Sequence, residues 1–252
     1  MPGDVAIFLL LIGHWYLAAF CQTMFLHRYS SHQMFSMTRF WERFFYALTF
    51  AAQGSSYLNP RTYALMHRIH HAYSDTERDP HSPKYQKNPA AMMMSTLAVS
   101  LDIYSFKKVP DGAFQGGYPV WPAFDRWADG IPLRILWVAG YVLFYAYFAT
   151  AWWQYLLLPV HIFMGPIHGA IVNWCGHMYG YANHENHDQS KNSFFADFFT
   201  MGELMQNNHH HDTRQPNFAH RWFEIDPTYP LLRLLSACRI IRLALPESRR
   251  SL

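Results

Sequence analysis

At 252 residues the chain has room for one substantial domain, 1–252, and nothing in it marks a second. It is 51% apolar and 18% aromatic, yet its mean hydropathy is close to zero, which suits a membrane protein with a large polar part better than a chain made only of spans. A net charge of +3 gives no argument for nucleic acid. Three scattered cysteines, Cys21, Cys175 and Cys238, argue against a disulfide framework and are expected as small buried hydrophobes.

In chain order, residues 5–25 form a nearly uncharged stretch long enough, as a helix, to cross about 30 Å of hydrocarbon. No basic segment precedes it and it runs into His27 and His32, so it does not read as a signal peptide. Residues 44–58 are also apolar, but a single crossing there would put this histidine pair and the next cluster, His67-Arg68-Ile69-His70-His71, on opposite faces of a membrane. Groups that share a metal site must share a face, so 44–58 is expected to be a re-entrant or interfacial helix, which Gln53, Ser55 and Ser56 suit. Residues 90–106, with Met92, Met93 and Met94, read as a second surface helix. The apolar stretches 131–158 and 159–175 are expected as two antiparallel spans, turning at Trp152, Trp153 and Gln154. Pro159 and Pro166 should kink the later span without ending it, because neighbours can satisfy the freed carbonyls. Beyond it comes the third cluster, Gln206-Asn207-Asn208-His209-His210.

Lysine and arginine are distributed unevenly. Arg28, Arg39, Arg43, Arg61, Arg68, Lys84, Lys87, Lys107 and Lys108 accompany the first two clusters, and Arg214, Arg221, Arg233, Arg239, Arg242, Arg249 and Arg250 accompany the third. The first residues and the Trp152 turn carry none. Three spans, the N-terminus outside and all histidine clusters cytoplasmic satisfy this pattern.

Spacings of three and four put two imidazoles on one helix face, while an adjacent histidine points elsewhere. Neutral imidazole suits zinc, copper and iron. Zinc sites usually take three or four protein ligands; this chain offers at least twice that, which points to two redox metals able to handle O2. Without metal, so many imidazoles would repel one another on protonation.

The second cluster, followed by Asp75-Thr76 and Asp79-Pro80-His81, resembles the second histidine box of integral-membrane fatty-acid desaturases of the acyl-CoA Δ9 type. His27 and His32, the segment Asn173-Trp174-Cys175-Gly176-His177, Gly202-Glu203, the third cluster and the run from Phe218 to Pro227 share the likeness, which extends over residues 10–230. The resemblance implies an all-α integral-membrane bundle of about three to four spans plus interfacial helices, with a cytoplasmic cap holding a diiron site. It suggests a short bacterial member, set in the inner membrane.

By position, the resemblance implies one iron on His27, His32, His67, His71 and His209, and another on His70, His177 and His210, with Asn173 positioning a bound water. Catalysis would rest on this metal centre, with no further catalytic side chain. His81 would order the cap, Asp75, Asp79, Glu203 and Asp212 would orient imidazoles, and Leu11 and Trp15 would close a tunnel for the acyl chain. His14, His161 and His168, inside apolar stretches, are expected to hydrogen-bond between helices.

The chain departs from the family in two ways. Gln206 stands where the third box usually begins with histidine, so the second iron should be held less tightly or through water. One span rather than a hairpin of two precedes the first box, as in a shorter version of the bundle. The implied activity is O2-dependent introduction of a cis double bond into a long fatty acyl thioester or lipid. A hydroxylase using the same site, and a lipid-binding protein with a degraded site, are the alternatives. The chain has no flavin, nucleotide or haem motif, so electrons should come from an external ferredoxin or a cytochrome b5-like protein, docking near Lys107 and Lys108.

Overall fold

The computed structural model describes residues 3–243. It is 62% helical. Helix α1, Gly3–Cys21, continues without a break into a π-helical segment, Gln22–Ser31. There follow strand β1 (Phe35–Met37) and helices α2 (Arg39–Gln53), α3 (Pro60–Tyr73), α4 (Pro89–Tyr104), α5 (Pro122–Ala128) and α6 (Ile131–Phe148). Helices α7 (Leu158–Ile162), α8 (Met164–Ala170), α9 (Gly176–Met178), α10 (Gln206–His211) and α11 (Thr228–Ala237) lead to strand β2 (Ile241–Leu243). β2 pairs antiparallel with β1, so the expected all-α chain carries one short ribbon just beyond the first histidine pair. Arg249 and Arg250, counted in the charge asymmetry, lie outside the described residues.

Two helical stretches are long and apolar enough to cross a membrane, Gly3–Ser31 and Ile131–Phe148. A third arises if the bent pair Trp152–Ile162 and Met164–Met178 is one span. Helix α2 has only 15 residues and packs along α1, and its end turns at Gly54–Ser56, which touches α6, α7 and α8. Gly54 takes φ +55°, and a Cβ there would run into the Tyr141 hydroxyl. α2, this turn and α3 therefore form a hairpin whose tip is set among the spans, while both ends lie near the histidines. That matches a re-entrant reading of 44–58.

The hairpin tip meets the bent pair at its break. The chain bends by 75° around Phe163. Pro166 cannot donate to the carbonyl of Ile162, and its ring crowds that oxygen. The freed carbonyl accepts a hydrogen bond from Ser55 Oγ at 2.8 Å, and Gly165 N donates to Ser56 Oγ at 2.9 Å. Inside the bundle His14 and His161 meet nitrogen to nitrogen at 2.8 Å, and His161 Nε2 meets the Tyr145 hydroxyl at 2.9 Å, joining α1, α6 and α7. His168 is buried beside the backbone of Thr200. Cys21 is buried as expected, but Cys238 is exposed at the end of α11.

Because the Ser55 hydroxyl serves a carbonyl that Pro166 leaves open, Ser55→Ala should lower stability by about 1–3 kcal/mol. In a Pro166→Ala background the new amide can serve Ile162, and the loss should shrink. Unfolding in detergent of the four proteins measures both.

Candidate metal centre

The first ligand pair is five residues apart, not three or four. An α-helix would splay His27 and His32; the π-helical turn, with His32 N donating to His27 O at 3.2 Å, brings them to one side. A second π-helical stretch, Ile171–Cys175, lies just before His177 and carries Asn173. On α3, His67 and His71 share a face one turn apart while His70 points to the side. Asn59 caps α3, its side chain accepting from the amides of Arg61 and Thr62. On α10 the neighbours His209 and His210 diverge in the same way. Each adjacent histidine pair thus straddles two sites.

The histidine nitrogens able to hold a metal form two groups. Those of His27, His32, His67, His71 and His209 lie within 4.8 Å of one another, as do those of His70, His177 and His210. In the first group Nε2 of His27 lies 2.8 Å from that of His209, His32 from His67 at 2.8 Å, and His71 from His67 and from His209 at 3.0 Å each. These are poor hydrogen bonds. His27 Nδ1 faces Glu203 Oε2 at 2.5 Å, and His67 and His209 each face two other nitrogens at once. Metal–nitrogen bonds of about 2.1 Å put neighbouring octahedral donors about 3 Å apart. The spacing is that of donors around one ion.

In the second group each imidazole is pinned from behind. Nδ1 of His70 meets Asp79 at 2.9 Å, that of His177 meets Asp75 at 2.9 Å, and that of His210 meets Asp188 at 2.5 Å. Their Nε2 atoms are buried without a hydrogen-bond partner. Burial alone would raise these carboxyls. Against it, His177 draws Asp75 down to about 2 and His27 draws Glu203 down to about 2, while Asp79 and Asp188 fall below the usual carboxylate range beside His70 and His210. For His32, His67, His71 and His209, burial first and neighbouring imidazoles next lower the pKa well below the ordinary value, keeping the neutral, ligating form.

Three of the four expected orienting carboxylates, Asp75, Asp79 and Glu203, take that place. Asp212 does not: it accepts from Arg214 N, and Asp188 holds His210 instead. Arg28 is another residue the boxes did not single out. It is fully buried, pairs with Asp226 at 2.8 Å and Glu203 at 3.2 Å, donates to Pro216 O at 3.1 Å, and covers the Phe218 ring at 3.7 Å. Thr23 bridges Arg28 and Glu203. Asn207 and Asn208 are not ligands but clamps: Asn207 binds the backbone of residues 183, 184 and 190, and Asn208 binds Asn183, Asn192, Phe218 O and Glu224. An arginine beside a ligand in an apolar helix, and the polar run His184 to Ser190, were the available signals.

A cavity of about 250 Å³ abuts the centre. His67, His81, Asn173, Glu203 and Gln206 line one side, and Leu58, Met66, Met93, Leu97, Phe163 and Val172 line much of the rest. Asn173 and Gln206 thus share this cavity wall with His67 and His81. Trp15 is not on this cavity. It lines a small neighbouring one with Gln22, Gln53 and His168, donates from Nε1 to Phe199 O at 2.8 Å and stacks on Phe199 at 4.5 Å. Leu11 lines neither cavity.

The family profile described as fatty acid desaturase matches residues 5–236. The chain belongs to the fatty acid desaturase family. It is 30% identical to the Delta-9 desaturase-like 4 protein of Arabidopsis thaliana, over 86% of this chain and 69% of that protein. It is 27% identical to the sn-1 stearoyl-lipid 9-desaturase of Synechocystis sp. over 85% of this chain and 64% of the relative, and 26% identical to the protein of that name from Anabaena variabilis over 89% and 78%. This desaturase is therefore an oxidoreductase acting on fatty acyl chains, as its apolar helices and buried histidines fit.

Removing the anchor behind one imidazole should loosen the metal without removing a ligand. Asp188→Asn should lower metal affinity by about 10–100-fold, measured by competition with a chelator, while the fold persists. Arg28→Met should be far more disruptive, by about 3–5 kcal/mol in unfolding experiments, since it strands buried Asp226 and Glu203.

Proposed function

We propose that this desaturase holds two iron ions, one on His27, His32, His67, His71 and His209 and one served by His70, His177 and His210, and introduces a cis double bond at the Δ9 position of a long acyl chain. The observation that carries this reading is the inward convergence of buried Nε2 lone pairs, with carboxylates fixing the Nδ1 protons of His27, His70, His177 and His210. Bound and reduced, the irons would supply the O2 chemistry that breaks unactivated C–H bonds, which no side chain here performs.

The chain's own residues supply position and dryness. Away from the polar wall beside His67, the cavity is lined mainly by aliphatic, aromatic and thioether groups, and no lysine or arginine lines it. Its rim residues Met94, Leu97 and Phe163 are exposed, and α4 also exposes Leu101, so the opening continues an apolar outer face. This supports an acyl chain that enters from the hydrocarbon of the membrane, in keeping with the stearoyl-lipid substrates named for the cyanobacterial relatives. The lysine and arginine asymmetry supports a cytoplasmic face for the centre and an external electron donor that docks there.

Purified chain reconstituted with stearoyl lipid, O2 and a reduced donor should give products lighter by two hydrogens, and should contain about two irons. Products heavier by one oxygen would make it a hydroxylase. At Gly169 a Cβ would sit 3.5 Å from Met93 Cε, so Gly169→Leu drives the methionine into the cavity. Desaturation should fall by on the order of a hundredfold with iron content unchanged.

A further inference from the structure

The two groups of nitrogens are unequal: five in one, three in the other. Gln206 stands one helical turn before His210 and does not offer an imidazole. Its side-chain amide is committed to Glu203 O at 2.6 Å, and its aliphatic part fills the space that a Cβ at Gly176 would take.

His81 lies beside the smaller group. Its backbone amide donates to Asp79 Oδ1 at 3.0 Å, the carboxylate that pins His70. Its ring lies 4.4 Å from that of His70, and one nitrogen each of His70 and His81 and a carboxylate oxygen of Asp79 fall within 4.8 Å of one another, a grouping separate from the one His70 makes with His177 and His210. The residue is 5% exposed, yet neither Nδ1 nor Nε2 has a hydrogen-bond partner. A buried polar atom left unpaired costs about 1–3 kcal/mol, and this ring carries two. A histidine that only ordered the cap would spend its N–H on a neighbour; this ring instead forms part of the cavity wall with Asn173 and Gln206.

We infer that His81 is a fourth protein donor to the second metal ion, supplying the imidazole that Gln206 does not. A turn about its own side-chain torsions is what ligation asks of it, since its backbone is already fixed by Asp79. Asp79 would then hold both imidazoles: His70 through Nδ1, His81 through the main chain. The inference rests on the two-metal reading above.

The test is metal content and 57Fe Mössbauer spectra of the full chain, purified in mild detergent, for wild type, His81→Ala, Gln206→His and the double variant. Wild type should hold about two irons, His81→Ala about one, and His81→Ala with Gln206→His about two again. Gln206→His alone should keep two, released about tenfold more slowly to a chelator. Rescue from position 206 separates ligation from a structural role, because a packing defect at His81 would not be repaired there. His81→Asn, close in size and polar, serves the same purpose if the alanine variant aggregates. Two irons and an unchanged spectrum in His81→Ala, or a folded double variant that stays at one, would overturn the assignment. Wild type without iron would overturn the metal-centre reading itself.

Discussion

The centre depends on the direction in which each imidazole proton points. A neutral histidine has one N–H and one lone pair, and only the carboxylate behind the ring decides which faces inward. Glu203, Asp79, Asp75 and Asp188 make that choice for His27, His70, His177 and His210. The choice must be made in a buried place, where a misdirected proton has no water to turn to. Glu203 is the most constrained of the four, because it also answers the fully buried guanidinium of Arg28, which Asp226 holds from its other side. The buried charges of Arg28, Glu203 and Asp226 are thus held against one another.

The same accounting holds in the spans. Pro166 has no amide to offer the carbonyl of Ile162 at the break between α7 and α8, and a serine from the tip of the α2–α3 hairpin answers it. That hydrogen bond joins the broken span to the element that leads into His67, His70 and His71. Bending the last span by 75° lets it contribute cavity wall from Phe163 to Asn173 while still delivering His177 to the centre. Fold and site are thus linked through backbone groups that have no water available.

Much of this was legible in the amino-acid sequence. Long apolar runs announce spans because hydrocarbon tolerates little else, and clustered histidines announce metal because nothing cheaper explains them. That 44–58 is a re-entrant or interfacial helix rather than a crossing follows from requiring the clusters to share a face. What escaped was whatever depends on register or on distant partners. The π-helical turn that joins His27 and His32 leaves no mark in composition, and a spacing of five looks wrong for a helix until its hydrogen bonds are known. Asp188, rather than Asp212, serves His210 because the path of the polar segment between the last span and α10 brings it there, and only tertiary structure sets that path. Arg28 read as one basic residue among many, since charge counting cannot separate a buried guanidinium from a solvated one. Leu11 and Trp15 were placed by helical turns along α1, but the large cavity lies on the side facing α4 and α8.

The short ribbon between β1 and β2 bears on the order in which the protein can be built. Strand β1 follows directly after His32, yet its partner is residues 241–243, and Arg28 waits for Asp226. His27, His32 and the histidines of α3 leave the ribosome long before either closing contact can form. His209 and His210 come late, and the acids that steady their surroundings are later still or, like Asp188, lie just ahead of them. A half-made chain therefore presents loose imidazoles without the clasp that closes the pocket around them. The pocket around the histidines therefore closes only when residues 226 and 241–243 have joined it.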